Sequence, residues 1–247
     1  MRIPEEAVPA PVVEMARAKL TLSLRVTGVR ADGYHLLDSE MVTLDLADTL
    51  TIGPGGGLSV SGLGADGPVP GGADNLVLKA LRLLGRTASI HLDKRIPTGA
   101  GLGGGSADAA AVLRWGSCND PATAARLGAD VPFCLIGGRA RVRGVGEVVE
   151  PLPFEEVAGD EYTLLTPPLH VSTLDVYRTW DRLGGPTGDN GNDLEPAALR
   201  IAPELARWRD LLGERSGSNP RLAGSGGTWF VPGSHPGPDL LVVRVAR

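Results

Sequence analysis

The chain has 247 residues, enough for one large or two small domains, and its 42% hydrophobic content is sufficient for a sizeable core. Its formal net charge of −5 argues against a nucleic-acid partner. Every apolar run is shorter than the ~20 residues of a membrane span, and the first residues lack the apolar segment of a secretion signal. Cys118 and Cys134 have no metal-ligand spacing, so the pattern favours a globular protein of the reducing cytoplasm.

The N-terminal part of the sequence predicts strands. Residues 1–14 are proline-rich and are expected to be loosely ordered. Strict alternation predicts a strand over 20–26, and a second strand over 41–46 is expected to pair with it. The Asp32-Gly33 pair between them is a turn signal. Within the glycine- and proline-rich segment 53–73, only 58–60 suggests a short strand.

A helix, a strand and a second helix are predicted next. Asp74 can cap a helix over 75–84, which Gly85 would end. Residues 88–92 alternate as a strand, and a helix that begins near Ser106 is expected to run to Trp115.

Between that strand and helix lies a stretch with glycine at positions 99, 101, 103, 104 and 105. Glycines let backbone N–H groups approach a phosphate, and the helix dipole favours negative charge at its N-terminus. The stretch is therefore interpreted as a nucleotide-phosphate loop. It lacks the lysine of a P-loop, it matches the dinucleotide fingerprint only in a region full of glycine, and no kinase-type Val-Ala-Ile-Lys strand follows it. A flexible linker remains the alternative.

The C-terminal part alternates strands and helices around a segment rich in proline and acidic residues at 151–160, which is the candidate domain boundary. Ser172 or Thr173 can cap a helix there. The other predicted elements are a hairpin over 137–150 that turns at Gly144 or Gly146, a strand over 162–166, helices starting at 192–195 and spanning 201–212, strands at 221–223 and 229–231 around a second glycine turn, and a last strand over 240–245.

The motifs resemble those of a known family. The run Pro-Thr-Gly-Ala-Gly-Leu-Gly-Gly-Gly-Ser at 97–106 resembles the second motif of the GHMP kinases, and Ala-Gly-Ser-Gly-Gly-Thr at 223–228 resembles their third. Ala-Arg-Ala-Lys-Leu at 16–20, Arg-Ala-Asp-Gly-Tyr-His-Leu-Leu at 30–37 and Leu-Gly-Ala-Asp-Val-Pro-Phe at 127–133 are similar to signatures of one branch, the 4-diphosphocytidyl-2-C-methyl-D-erythritol kinase family. The motifs occur in the family's order from about residue 16 to about residue 231.

The resemblance implies an α+β fold with two domains. Residues 1–155 would form a GHMP kinase N-terminal domain, similar to ribosomal protein S5, that carries the ATP loop. Residues 156–247 would form a C-terminal ferredoxin-like α/β sandwich. The implied reaction is transfer of the ATP γ-phosphoryl group to the 2-hydroxyl of 4-diphosphocytidyl-2-C-methyl-D-erythritol, a step of non-mevalonate isoprenoid biosynthesis.

The resemblance also implies roles for individual residues. Lys19 and Asp130 would be the catalytic pair, although a strand-end lysine and a turn aspartate are usually unremarkable. ATP would lie along the loop, on Pro97, Thr98, Gly99, Ala100, Gly101, Leu102, Gly103, Gly104, Gly105, Ser106 and Ala107. Mg²⁺ is expected with the ATP, but no motif suggests a protein ligand for it.

The small-molecule substrate, a cytidine diphosphate linked to methylerythritol, would bind on a further set of residues. Tyr34 would stack on the cytosine, His35 would hydrogen-bond its edge, and Tyr177 could complete the stack. Thr21, Gly224, Ser225 and Gly226 are the other candidate contacts. No membrane partner is expected, and the oligomeric state is left open between monomer and homodimer.

Three features depart from the family pattern. Thr21 stands where the family commonly has asparagine, Ala107 replaces a usual serine, and the connection at 116–126 is shortened. These departures leave two alternatives, a degenerate GHMP-fold protein that binds nucleotide without turnover and a GHMP kinase for another small alcohol.

Overall fold

The computed structural model describes residues 10–63 and 74–247. Its strands are β1 (Val12–Val29), β2 (His35–Gly53), β3 (Gly57–Gly62), β4 (Ser89–Lys94), β5 (Arg139–Gly144), β6 (Val148–Pro151), β7 (Glu161–Leu165), β8 (Arg221–Leu222), β9 (Trp229–Pro232) and β10 (Leu240–Arg244). Its helices are α1 (Leu76–Leu83), α2 (Gly104–Trp115), α3 (Pro121–Ala125), α4 (Val131–Ile136), α5 (Thr173–Arg182), α6 (Glu195–Ile201) and α7 (Leu205–Ser216), with a 3₁₀ turn at Phe154–Glu156.

The first sheet is organised around the long strand β2. The strand pairs antiparallel with β1 along most of its length, with β5 along its first half and with β4 along its second half. The strand order is β3-β4-β2-β5-β6, with β1 attached to β2. Among the described strands, β3 and β4 form the one parallel pair, and α1 lies in the crossover between them.

Helix α2 packs closely on this sheet because its buried face is built of small side chains. Ala109, Ala110 and Ala111 are completely buried, together with Val112 and Leu113. A chain this poor in aromatic residues builds the core here from alanine, valine and leucine. The close packing fixes the start of α2, and with it the end of the glycine stretch, against β1.

The second sheet is antiparallel, in the order β10-β7-β9-β8. Alternate residues of β7 point to two cores: Tyr162 and Leu164 pack with the core of the first sheet, whereas Leu165 packs with residues of α5, α6 and α7. Strands of the first sheet come from residues 12–151 and those of the second from 161–244, on either side of the predicted boundary. The division into domains 1–155 and 156–247 stays a prediction.

The start of β1 and the capping residue of α1 differ from the prediction. Strand β1 starts at Val12, which pairs with Ile52, so the prediction of loose order is wrong for residues 12–14 and lies outside the described residues for 1–9. The cap of α1 is Asn75, whose side chain accepts a hydrogen bond from the Val77 amide at 2.9 Å, whereas the Asp74 carboxylate pairs with Lys79 at 3.2 Å.

Two helix boundaries also differ from the prediction. Helix α2 begins at Gly104, two residues before Ser106, because Gly103 adopts a left-handed conformation and its carbonyl accepts the first helical hydrogen bond from Ala107 at 2.8 Å. The predicted helix over 201–212 is in fact split: Ile201 ends α6, and α7 begins at Leu205 after Pro203. Within the described ranges, no helix has the length and hydropathy to cross a membrane.

Candidate active site

A cavity of about 450 Å³ lies between the glycine-rich stretch, β1 and the start of α5. Every residue from 97 to 106 lines it, together with Lys19, Asp130 and Tyr177. The fold therefore brings the predicted phosphate loop and the predicted catalytic residues to one cavity, although they lie far apart along the chain.

The glycine stretch is joined to β1 at Lys19. The Lys19 amide donates a hydrogen bond to the Leu102 carbonyl at 3.0 Å. Gly103 has a φ of +70°, and a Cβ atom at this position would lie 2.8 Å from Cγ of Lys19. A side chain at 103 would therefore be strained in its backbone and would displace the lysine.

The two glycine turns of the sequence pack against each other. A Cβ atom on Gly101 would lie 2.6 Å from the Ala223 carbonyl oxygen and 2.9 Å from that of Gly226. The second turn is held in place by Asn192, whose side-chain amide donates to the carbonyls of Leu222 at 2.8 Å and Gly224 at 2.7 Å. The backbones of both turns thus form one wall of the cavity.

Lys19 and Asp130 contact each other in this cavity. The Lys19 Nζ lies 3.3 Å from Oδ2 of Asp130 and donates a hydrogen bond to Oγ1 of Thr21 at 3.1 Å. The lysine side chain is 5% exposed and the aspartate side chain 32%, so the carboxylate remains accessible from the cavity. A Cβ atom on Gly224 would lie 3.3 Å from the Lys19 Nζ, so the glycine leaves open space beside the ammonium group.

A second lysine site lies beneath the glycine stretch. The ammonium of Lys94 donates hydrogen bonds to Asp48 and, at 2.9 Å, to Asp108. Burial alone would lower the pKa of Lys94, but the charges of Asp108 and Asp48 outweigh it and raise that pKa. Burial is the main reason that the pKa of Asp108 is raised to about 7; the negative charge of Asp48 adds to the rise and the Lys94 charge opposes it.

A third group of side chains joins the start of β2 to the end of α5. The ring of His35 lies 4.7 Å from that of Tyr177 and, edge to face, 5.5 Å from that of Trp180, measured between centroids. Its Nε2 lies 2.8 Å from Oδ1 of Asp181. Burial raises the pKa of the Tyr177 hydroxyl, so this ring stays neutral.

The structure does not bring every predicted site residue to the cavity wall. The loop through Ser106, Lys19, Thr21, Asp130, Tyr177, Gly224 and Ser225 all line it. Ala107 is buried in the core, and Gly226 packs toward Leu222 and Ala198. Tyr34 is 63% exposed, with the Arg30 guanidinium 5.9 Å from its ring centroid. Neither Tyr34 nor His35 is among the described residues that line the cavity, but the His35 ring packs on Tyr177, which does line it.

Comparisons with known proteins decide the family. The model of the GHMP kinases N terminal domain matches residues 75–138, which include the glycine stretch and Asp130. A 4-diphosphocytidyl-2-C-methyl-D-erythritol kinase of Paracoccus denitrificans is 42% identical over 237 residues, covering 88% of this chain and 85% of the relative. One of Rhodopseudomonas palustris is 40% identical over 260 residues, covering 87% and 86%. The chain belongs to the 4-diphosphocytidyl-2-C-methyl-D-erythritol kinase family.

A solved structure agrees with this family. A crystal structure of 4-(cytidine 5'-diphospho)-2C-methyl-D-erythritol kinase superposes with a TM-score of 0.70 at 33% identity, covering 91% of each chain. The homoserine kinase of Cytophaga hutchinsonii, at 19% identity and a TM-score of 0.61, shares the fold alone. The resemblance and the α+β GHMP kinase fold expected from the sequence are confirmed.

Some residues around the site had no predicted role. The buried cluster of Asp48, Lys94 and Asp108 was missed, although Lys94 is one of only three lysines and directly precedes the loop. Asn192 and Asp181 were missed because their partners are distant in sequence. The shortened connection at 116–126 contains helix α3, capped by Asp120, and buries Ala124 completely.

Proposed function

We propose that this chain transfers the γ-phosphoryl group of ATP to the 2-hydroxyl of 4-diphosphocytidyl-2-C-methyl-D-erythritol. The observation that supports this most is the contact between Lys19 and Asp130 in a cavity walled by the glycine stretch. The choice of substrate is supported by relatives named 4-diphosphocytidyl-2-C-methyl-D-erythritol kinase, which are about 40% identical over most of the chain.

The triphosphate of ATP would lie along residues 97–106, at the N-terminus of α2. The helix dipole and the backbone N–H groups of the glycines favour an anion there. The nucleobase would continue along the apolar part of the same cavity, formed by Leu76, Leu92 and Ile96. A mostly apolar region next to a phosphate loop suits a purine base.

Mg²⁺ would enter with ATP. Across residues 10–63 and 74–247, no cluster of three or more histidine, cysteine, aspartate or glutamate side chains could hold a metal ion. Magnesium commonly keeps several waters and binds through substrate phosphates with one or two protein oxygens. The Ser106 hydroxyl lines the cavity next to the loop and could supply one such oxygen. The bound ion would offset phosphate charge.

Asp130 would accept the proton of the attacking hydroxyl. As the substrate O–H bond breaks and the new O–P bond forms, the bond from the γ-phosphorus to the β–γ bridging oxygen breaks and ADP leaves. The contacts of Lys19 with Thr21 and Asp130 leave donor capacity for a γ-phosphoryl oxygen. Thr21 thus orients the lysine in place of the asparagine common in the family.

The cytidine end of the substrate would bind beside α5. Tyr177 lines the cavity there, and the His35 ring packs on Tyr177. Tyr34 has an exposed ring on the neighbouring turn, available for stacking. Aromatic stacking of a base is worth about 1–3 kcal/mol. Cytoplasmic location and a monomeric or dimeric state remain proposals from the sequence.

A turnover assay tests this function against both alternatives. The purified protein is incubated with ATP labelled at the γ-phosphate, Mg²⁺ and 4-diphosphocytidyl-2-C-methyl-D-erythritol, with homoserine and mevalonate as control alcohols. We expect label in the cytidine compound alone. Binding of ATP without transfer to any acceptor would support the degenerate protein, and faster transfer to a control alcohol would support the other kinase.

A further inference from the structure

The carboxylate of Asp181 has no part in the reaction as described, yet it holds the residue proposed to recognise the base. Its Oδ1 accepts a hydrogen bond from Nε2 of His35 at 2.8 Å when that nitrogen carries the proton. The two residues come from distant parts of the chain, His35 from the first residue of β2 and Asp181 from the last turn of α5.

The His35 ring is fixed on its faces as well as at this nitrogen. Tyr177 packs on it at 4.7 Å, and Trp180 meets it edge to face at 5.5 Å. Trp180 is itself anchored, because its indole N–H donates to the Pro186 carbonyl at 2.9 Å. The His35 side chain is only 10% exposed, so the imidazole has little freedom to rotate.

The hydrogen bond at Nε2 of His35 determines whether Nδ1 donates or accepts a hydrogen bond. A neutral imidazole that donates from Nε2 has an unprotonated Nδ1, which can only accept a hydrogen bond. In the described part of the chain, no residue hydrogen-bonds to Nδ1. An acceptor suits the amino group of cytosine, whereas uracil has a carbonyl oxygen at that position.

We infer that Asp181 is a positioning residue for base recognition: it holds His35 in the orientation and tautomer that accept a hydrogen bond from a cytosine amino group. The inference rests on the proposed function, because it assumes that the cytidine end binds beside α5. It adds a source of specificity for cytidine over uridine, and Asp181 itself contacts no substrate atom.

The test compares inhibition by two nucleotides, CDP and UDP, in the full-length enzyme. Asp181→Ala removes the acceptor, and Asp175→Ala is the matched control. Asp175 lies on the same helix with a similarly exposed carboxylate, and it pairs with Arg178 at 3.8 Å instead of His35. Asp181→Asn keeps an acceptor oxygen near Nε2 and serves as the conservative variant.

We expect the inhibition constant of CDP to rise about tenfold in Asp181→Ala, with that of UDP nearly unchanged. The KM of the cytidine substrate should rise similarly, while kcat and the KM of ATP stay within about twofold of wild type. Asp181→Asn should recover most of the preference for CDP, and Asp175→Ala should match wild type.

Two outcomes would overturn the inference. An unchanged CDP preference in folded Asp181→Ala, or an equal loss for CDP and UDP, would leave the ion pair with a structural role only. If Asp181→Ala does not fold, the same comparison is made on Asp181→Asn and Asp181→Ser, and a serine variant as selective as wild type contradicts it. A wild-type enzyme that does not distinguish CDP from UDP would instead contradict the proposed substrate.

Discussion

Two lysines beside the same glycine stretch have opposite surroundings. Lys19 faces one carboxylate, Asp130, which is one-third exposed to the cavity. Lys94 faces two, Asp48 and Asp108, and all three of these side chains are at least 94% buried. The first pair is balanced in charge and partly exposed, whereas the second carries an excess carboxylate and is almost fully buried, with Lys94 and Asp108 lining part of the same cavity.

The difference explains why the Lys19–Asp130 pair can take part in a reaction, whereas the Lys94 cluster stabilises the structure around the loop. Oδ1 of Asp48 also accepts hydrogen bonds from the backbone amides of Arg95 at 2.5 Å and Ile96 at 2.8 Å, which fixes the chain just before the loop. Asp108 lies on α2, just after the loop. The Lys94 cluster therefore fixes both ends of the phosphate loop to the sheet. The Lys19–Asp130 pair lies in the cavity that the loop lines.

The largest effect, on kcat, is expected for substitutions of the Lys19–Asp130 pair. Asp130→Asn keeps the shape of the side chain and removes the proton acceptor, so kcat should fall by roughly 10²–10⁴-fold. The KM of ATP should change little, because the loop backbone binds the phosphates. Steady-state kinetics measure both values. A variant with near-normal kcat would remove Asp130 from the chemistry.

Substitutions in the buried cluster of Asp48, Lys94 and Asp108 should change the stability of the protein. Removing one partner of a buried ion pair leaves an uncompensated charge, so Lys94→Met should lower the free energy of unfolding by about 3–5 kcal/mol. Lys19→Met leaves a partly exposed carboxylate and should lower it by about 1 kcal/mol or less. Urea unfolding followed by tryptophan fluorescence measures both, and equal losses would contradict the distinction between the two sites.

The junction between loop and Lys19 should be sensitive to a single methyl group. Gly103→Ala forces a side chain into a left-handed conformation and against Lys19, so kcat/KM for ATP should fall by roughly 10²-fold. Gly85→Ala is the matched control, because Gly85 has a similar φ of +62° and no heavy atom within 4 Å of an added Cβ. If both variants lose the same activity, general backbone strain is the cause.

The smallest effect concerns the pH dependence of stability. The folded pKa of Asp108, about 7, lies above its ordinary value of 3.8. Between these values the folded protein holds a proton that the unfolded chain releases, so this group makes the protein less stable as pH rises toward 7. Asp108→Asn removes that dependence, and its Tm relative to wild type should rise by at least ~2–4 °C between pH 5 and pH 8. A pH-independent difference would contradict the raised pKa.

The sequence predicted the structural features that are continuous along the chain. The glycine stretch between β4 and α2, the hairpin around Gly144 and Gly146, and the cap at Ser172 depend on local rules and were confirmed. The contact between Lys19 and Asp130 could be anticipated only through the resemblance, because 111 positions separate them.

What escaped prediction depends on side chains that meet only in the folded chain. Asp48, in the middle of a long strand, looks like a solvent-facing residue until Lys94 and Asp108 are packed against it. The start of α2 was misplaced because no side chain caps it: a glycine in a left-handed conformation does so, and a run of glycines gives no clue to which one.

The claim that Lys19 and Asp130 act as one unit is tested most directly by four values of kcat, for wild type, Lys19→Met, Asp130→Asn and the double variant. Residues that act together in one transition state lose most of their effect at the first substitution. We therefore expect the double variant to be about as slow as the slower single variant. Losses that multiply would show that the two residues act independently and would contradict the account.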